Sequence, residues 1–131
     1  MVLHRLILGL NYKVPLLDRL TYISGTFSKT SPKENILIVT NKNYKDLCLE
    51  QLPNVIESNI LCEPAMRNTA PCVAYAAFKI QSMNENANMI IAASDHIILK
   101  EDEFVRVAND CLEVVAKNDI LLTLSGSTSL L

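Results

Sequence analysis

Tryptophan is absent from the 131 residues and aromatic side chains make up only 5% of them, so leucine, isoleucine, valine and alanine must fill any core. Positive charge is not in excess either: 12 lysines and arginines stand against 14 aspartates and glutamates, interspersed along the chain. Binding a phosphate backbone requires a basic stripe, and its absence argues against nucleic acid as a partner. The apolar stretch that starts at Leu6 stops at Gly9–Leu10, and His4 and Arg5 precede it. It is too short for a membrane span and no small-residue cleavage site follows, so neither membrane nor export is expected and the reading is cytoplasmic. Cys48, Cys62, Cys72 and Cys111 show no CxxC spacing and no paired histidines. They read as reduced thiols among apolar neighbours, not as metal ligands or disulfides.

Half of the residues are hydrophobic and a fifth are charged, a balance that excludes disorder and fits one ordinary domain. A chain of this length buries roughly two-thirds of its unfolded surface. From residue 36 onward, strand and helix signals alternate. Ile36–Val39, Asn59–Cys62, Met89–Ala93 and Ile120–Leu124 are short β-branched or aliphatic runs that predict strands. Asn43–Gln51 has helical spacing and ends before Pro53–Asn54. Thr69 caps a helix running to about Met83, with Pro71 in its first turn, where an amide donor has no helical partner. Ala70–Ile80 is almost wholly apolar, which predicts a largely buried helix. Asp102–Lys117 gathers Phe104, Val107, Ala108, Cys111, Leu112 and Val115 on one face, with Glu101, Asp102 and Glu103 at the positive end of its dipole. Such alternation implies βαβ crossovers and a parallel sheet: an α/β fold. Leu16, Leu20, Ile23 and Phe27 have helical spacing weakened by Gly25, and residues 125–131 read as a flexible polar tail.

Ligands of open parallel sheets bind outside the carboxyl ends of the strands. Thr40-Asn41-Lys42, the segment from Cys62 to Thr69, and Ser94-Asp95-His96 each follow a predicted strand and precede a helix, so they share that edge. Glu63-Pro64 forces an extended exit, and Arg67 and Asn68 stand ahead of a helix N-terminus suited to a phosphate or a base edge. The alternative is structural: Asn68 or Thr69 caps the helix and Arg67 pairs with Glu63. Asp95 is a carboxylate of the kind that holds Mg²⁺, or else it bonds its own loop amides with His96 as a surface neighbour. Lys42, Lys79, Lys100 and Lys117 read as solvated charges.

The successive strings Pro32-Lys33-Glu34-Asn35-Ile36, Val39-Thr40-Asn41, Leu49-Glu50-Gln51-Leu52-Pro53, Glu63-Pro64 with Arg67-Asn68-Thr69-Ala70-Pro71, and Ser94-Asp95-His96 resemble the motifs of the mannose-1-phosphate guanylyltransferases, in that family's order. The resemblance covers roughly residues 30–124. It implies a Rossmann-like nucleotidyltransferase fold of GT-A-like type, with a partial parallel sheet and helices on both faces. It also implies GTP and mannose 1-phosphate as substrates and Mg²⁺ as cofactor. Under it Asp95 is the catalytic metal ligand, Glu63, Arg67, Asn68 and Thr69 line the nucleotide pocket, and Ser94 and His96 position Asp95. Ala93 stands where many members of the family have proline.

The departures lie at the two ends. The family opens with a strand running into a Gly-rich, Arg-containing loop followed by Pro-Lys, and here Gly9 and Gly25 are isolated and Arg5 and Arg19 lack that context. The Gly-Tyr-Gly region expected after residue 124 is replaced by Ser125–Leu131. The expected organisation is therefore an uncertain segment at 1–30, a partial nucleotidyltransferase domain at 31–124 and a tail at 125–131, inactive alone. A non-catalytic nucleotide-binding module, one that associates with homologous chains, or a transferase for another base or sugar are the alternatives. The missing first strand would be central to the sheet and leave unpaired edges. Either Leu6–Leu10 fills that slot or the N-terminal segment packs poorly.

Overall fold

The computed structural model describes residues 3–8, 28–29, 31–63, 69–93 and 98–125. β1 (Leu3–Leu8), β2 (Ile36–Asn41), β3 (Ile60–Glu63) and β4 (Asn88–Ala93) form one sheet in the order β3-β2-β1-β4. Every pairing is parallel, and the helices α1 (Lys45–Gln51), α2 (Thr69–Met83) and α3 (Glu101–Val115) alternate with the strands.

β2 explains why the sheet holds together. Ile36, Leu37, Ile38 and Val39 are each at most 2% exposed, the continuous apolar run expected of a strand covered on both faces. Ile36 and Ile38 pack with Cys48 and Leu52 around α1, with Ile60 beside them and Phe104 of α3 against the cluster. Leu37 and Val39 point the other way, to Leu61 and to Cys72, Ala76 and Ile80 of α2. Helices thus cover both faces, as the α/β reading requires. Burying each of these aliphatic side chains is worth about 1.5–3 kcal/mol.

The N-terminal strand settles the open question of the sheet's centre. Leu3–Leu8 lies between β2 and β4, with Leu6 opposite Leu37 on one side and Ile91 on the other. The slot is filled by a strand that starts three residues before the expected Leu6–Leu10 and ends two residues before that run does. Gly9, Leu10 and the helical spacing at Leu16–Phe27 lie outside the described residues.

Local joints follow from polar side chains. The Asn41 side chain accepts the Asn43 amide at 2.6 Å and turns the chain into a short 3-10 turn, Lys42–Tyr44, before α1. Buried Asn59 donates from Nδ2 to the Glu34 carbonyl at 2.8 Å, tying together the turns that precede β2 and β3. Lys45 and Glu57 form an ion pair at 2.7 Å that joins the start of α1 to the turn before β3.

Two expectations fail. Ile120–Leu124 is not a strand: it runs beside β4 without ladder hydrogen bonds, with Ile120, Leu121, Leu122 and Leu124 between 41% and 90% exposed. A groove of about 560 Å³, lined by β4, α3 and residues 120–124, separates it from the sheet edge, and the Ile120 amide bonds back to the Asn118 carbonyl instead of to a neighbouring strand. Nor is α2 largely buried. Cys72, Ala76 and Ile80 recur every fourth residue against the sheet, whereas Tyr75 is 43% and Phe78 73% exposed. One helix face touches one sheet face, and no described element covers the other.

Candidate nucleotide site

Because all four strands are parallel, Asn41, Glu63 and Ala93 end on the same rim of the sheet. The strand order reverses between β1 and β4, and such a switch point opens the crevice in which open α/β sheets take their ligands. Ala93, the last residue of β4, stands beside Leu8 at that crevice. Glu63 lies on the opposite edge strand, three strand spacings away, or about 14 Å. The β3 and β4 exits therefore bracket the rim, with the ends of β2 and β1 between them.

Of the seven residues that the resemblance assigns to the nucleotide and the metal, two are described. Glu63 closes β3 and is half-buried, and Thr69 opens α2 and is exposed. Arg67, Asn68, Ser94, Asp95 and His96 lie outside the described residues, in the connections that leave β3 and β4. Lys42, Lys79, Lys100 and Lys117 are exposed, in keeping with solvated charges.

Glu63 has a partner that the sequence does not announce. The Cys72 thiol, on the first turn of α2, donates a hydrogen bond to its carboxylate. Burial, then this hydrogen bond and the carboxylate's charge, push the Cys72 thiol up to about 12. Cys72 is thereby held neutral against the Glu63 carboxylate at the start of α2. A carboxylate has about four acceptor positions, so one thiol leaves Glu63 able to receive a further donor. Thr40, near the end of β2, is similarly engaged: its hydroxyl donates to Cys48 Sγ. Both links depend on how helices seat on the sheet, which no spacing along the chain reveals.

Among the described residues no group of three or more His, Cys, Asp or Glu side chains is placed to hold a metal ion. The four cysteines are free thiols. Among the described residues no helix is long and apolar enough to cross a membrane.

Comparison with known proteins places this arrangement. The family model described as nucleotidyl transferase matches residues 13–122. A mannose-1-phosphate guanylyltransferase of Escherichia coli K12 is 39% identical over 75 residues, covering 54% of this chain and 16% of the relative. Mannose-1-phosphate guanylyltransferase 2 of E. coli O157:H7 is 33% identical over 89 residues, 65% of this chain and 18% of the relative. The corresponding protein of Salmonella muenchen is 33% identical over 96 residues, 69% and 20% respectively. The chain thus spans no more than a fifth of the length of these curated relatives.

Proposed function

Because the chain belongs to the nucleotidyl transferase family, we propose that it carries part of the GTP pocket of a mannose-1-phosphate guanylyltransferase. One observation carries the reading: the exits of β3 and β4 open on one rim, on either side of the switch point, within a match that spans residues 13–122. In the proposed reaction an oxygen of mannose 1-phosphate attacks the α-phosphorus of GTP. The bond from that phosphorus to its β-bridging oxygen breaks, and pyrophosphate leaves as GDP-mannose forms.

The residues divide the task. Arg67, Asn68 and the start of α2 at Thr69 supply donors to the nucleotide, and Glu63 presents an acceptor to its base or ribose. Asp95 follows β4 by two residues and would hold Mg²⁺, with Ser94 and His96 orienting its carboxylate. A lone carboxylate with substrate phosphates completing the shell is a donor set that suits this cation. Bound Mg²⁺ supplies neutralisation of the charge that gathers on the phosphates.

Turnover by this chain alone is expected to be undetectable. The Gly-rich, Arg-containing loop of the resembling family is not found in residues 1–31. Loss of one donor aimed at transition-state charge costs about 3–4 kcal/mol, and that loop is where the resembling family carries such donors. The absence of that loop favours a second reading, nucleotide binding without turnover. Titration calorimetry with GTP and Mg²⁺, alongside an assay for pyrophosphate release, tests both. Binding is expected, and it should be lost in Asp95→Ala and Arg67→Ala. Unchanged affinity in both variants would mean that the pocket lies elsewhere.

A further inference from the structure

The sheet face beneath α1 holds two thiols that the nucleotide reading does not use. Cys48, in the middle of α1, is 1% exposed, and its Sγ accepts the Thr40 hydroxyl. Thr40 is in register with Cys62 on the adjacent strand. Neighbouring strands lie about 4.8 Å apart, and alternate residues share a face. Ile36, Ile38 and Ile60 pack on α1, so Thr40 and Cys62, two residues further along their strands, point to the same side. α1 rests on β3 with Cα atoms of the two elements within 8 Å. Thr40 thus stands between the two cysteines: its hydroxyl is bonded to Cys48, and its place on β2 is one strand spacing from that of Cys62 on β3.

We propose that Cys48 and Cys62 form an intramolecular disulfide when the folded chain meets a hydroperoxide, with Cys62 reacting first and Cys48 resolving. Cys62 is half-buried, the more accessible of the two. Burial pushes the Cys48 thiol up, which keeps it from attacking peroxide itself. The Cys62 thiolate takes the terminal oxygen of the hydroperoxide, the O–O bond breaks, and water or an alcohol departs after protonation. Cys48 sulfur then attacks Cys62 Sγ, the S–O bond breaks, and the Cys48 proton leaves with the hydroxide as water. Two thiols are oxidised and one peroxide is reduced. Disulfides need Cα atoms within about 7 Å, and that is the separation α1, only seven residues long, must reach over β3 for the bond to close.

The inference is independent of GTP binding, and its test does not use nucleotide. Hydrogen peroxide is applied to the folded full chain, which is then denatured, alkylated with iodoacetamide and cut with trypsin. No lysine or arginine lies between Asp46 and Met66, so one peptide ending at Arg67 contains both cysteines. In the wild type that peptide is expected to lose both alkylation sites and to regain them after reduction. Cys48→Ser should leave Cys62 oxidised without a link, and Cys111→Ser should link normally. Oxidising the chain in denaturing urea should cut the yield several-fold, because the fold no longer holds the sulfurs together. A folded wild type in which Cys48 remains alkylatable while Cys62 is oxidised overturns the proposal. So does a link formed equally well in urea.

Discussion

A thiol held neutral beside a carboxylate leaves a measurable trace. Cys72 is raised in the folded chain by burial and by Glu63, to about 12, whereas in the unfolded chain it ionises near its ordinary value. Its contribution to stability is therefore fully present below the ordinary thiol pKa and is lost as pH rises from there towards about 12. Urea midpoints taken from neutral to alkaline pH should fall through that window, and Cys72→Ala should flatten the fall. Glu63→Gln should quicken alkylation of Cys72 in the folded protein, because the carboxylate's charge no longer opposes the thiolate; equal rates would break the link between them. Neither effect was legible in the sequence. Glu63-Pro64 marks a strand exit from local chemistry alone, but the Cys72 contact depends on where α2 seats against the end of β3.

At the scale of elements, α2 and β1 separate what patterning reveals from what it hides. Strand and helix positions from residue 36 to Val115 were legible because short continuous apolar runs alternate with segments of near-four spacing. The composition of α2 misled because alanines and aromatics occupy its outer face as well as its inner one. Ile80→Ala should cost about 2–5 kcal/mol, a buried large-to-small change. Phe78→Ser, at 73% exposed, should stay within about 0.5 kcal/mol, and paired urea unfolding curves would separate the two. Ile120–Leu124 misled for a different reason: its residues suit a strand, but pairing also needs an edge within hydrogen-bonding reach. β1 was legible as an apolar run but not in register, because Leu3–Leu8 is fixed by neighbours on both sides. Ile7→Pro removes a ladder donor in that central strand, and circular dichroism should report loss of the fold.

For the whole molecule, strand order decides what the rim can hold. The sequence placed three polar exits on one edge; only the order β3-β2-β1-β4 separates the outer two by about 14 Å and sets the switch point between β1 and β4. The order also governs how the structure comes apart. β1 aligns Leu3 with Asn88 and Arg5 with Ile36, so one strand joins regions of the chain far apart in number. Once that strand leaves, β4 has no partner and only the β2–β3 ladder remains. Amide protons along β1, β2 and β4 should accordingly exchange with deuterium at one common, slowest rate, as a single cooperative unit.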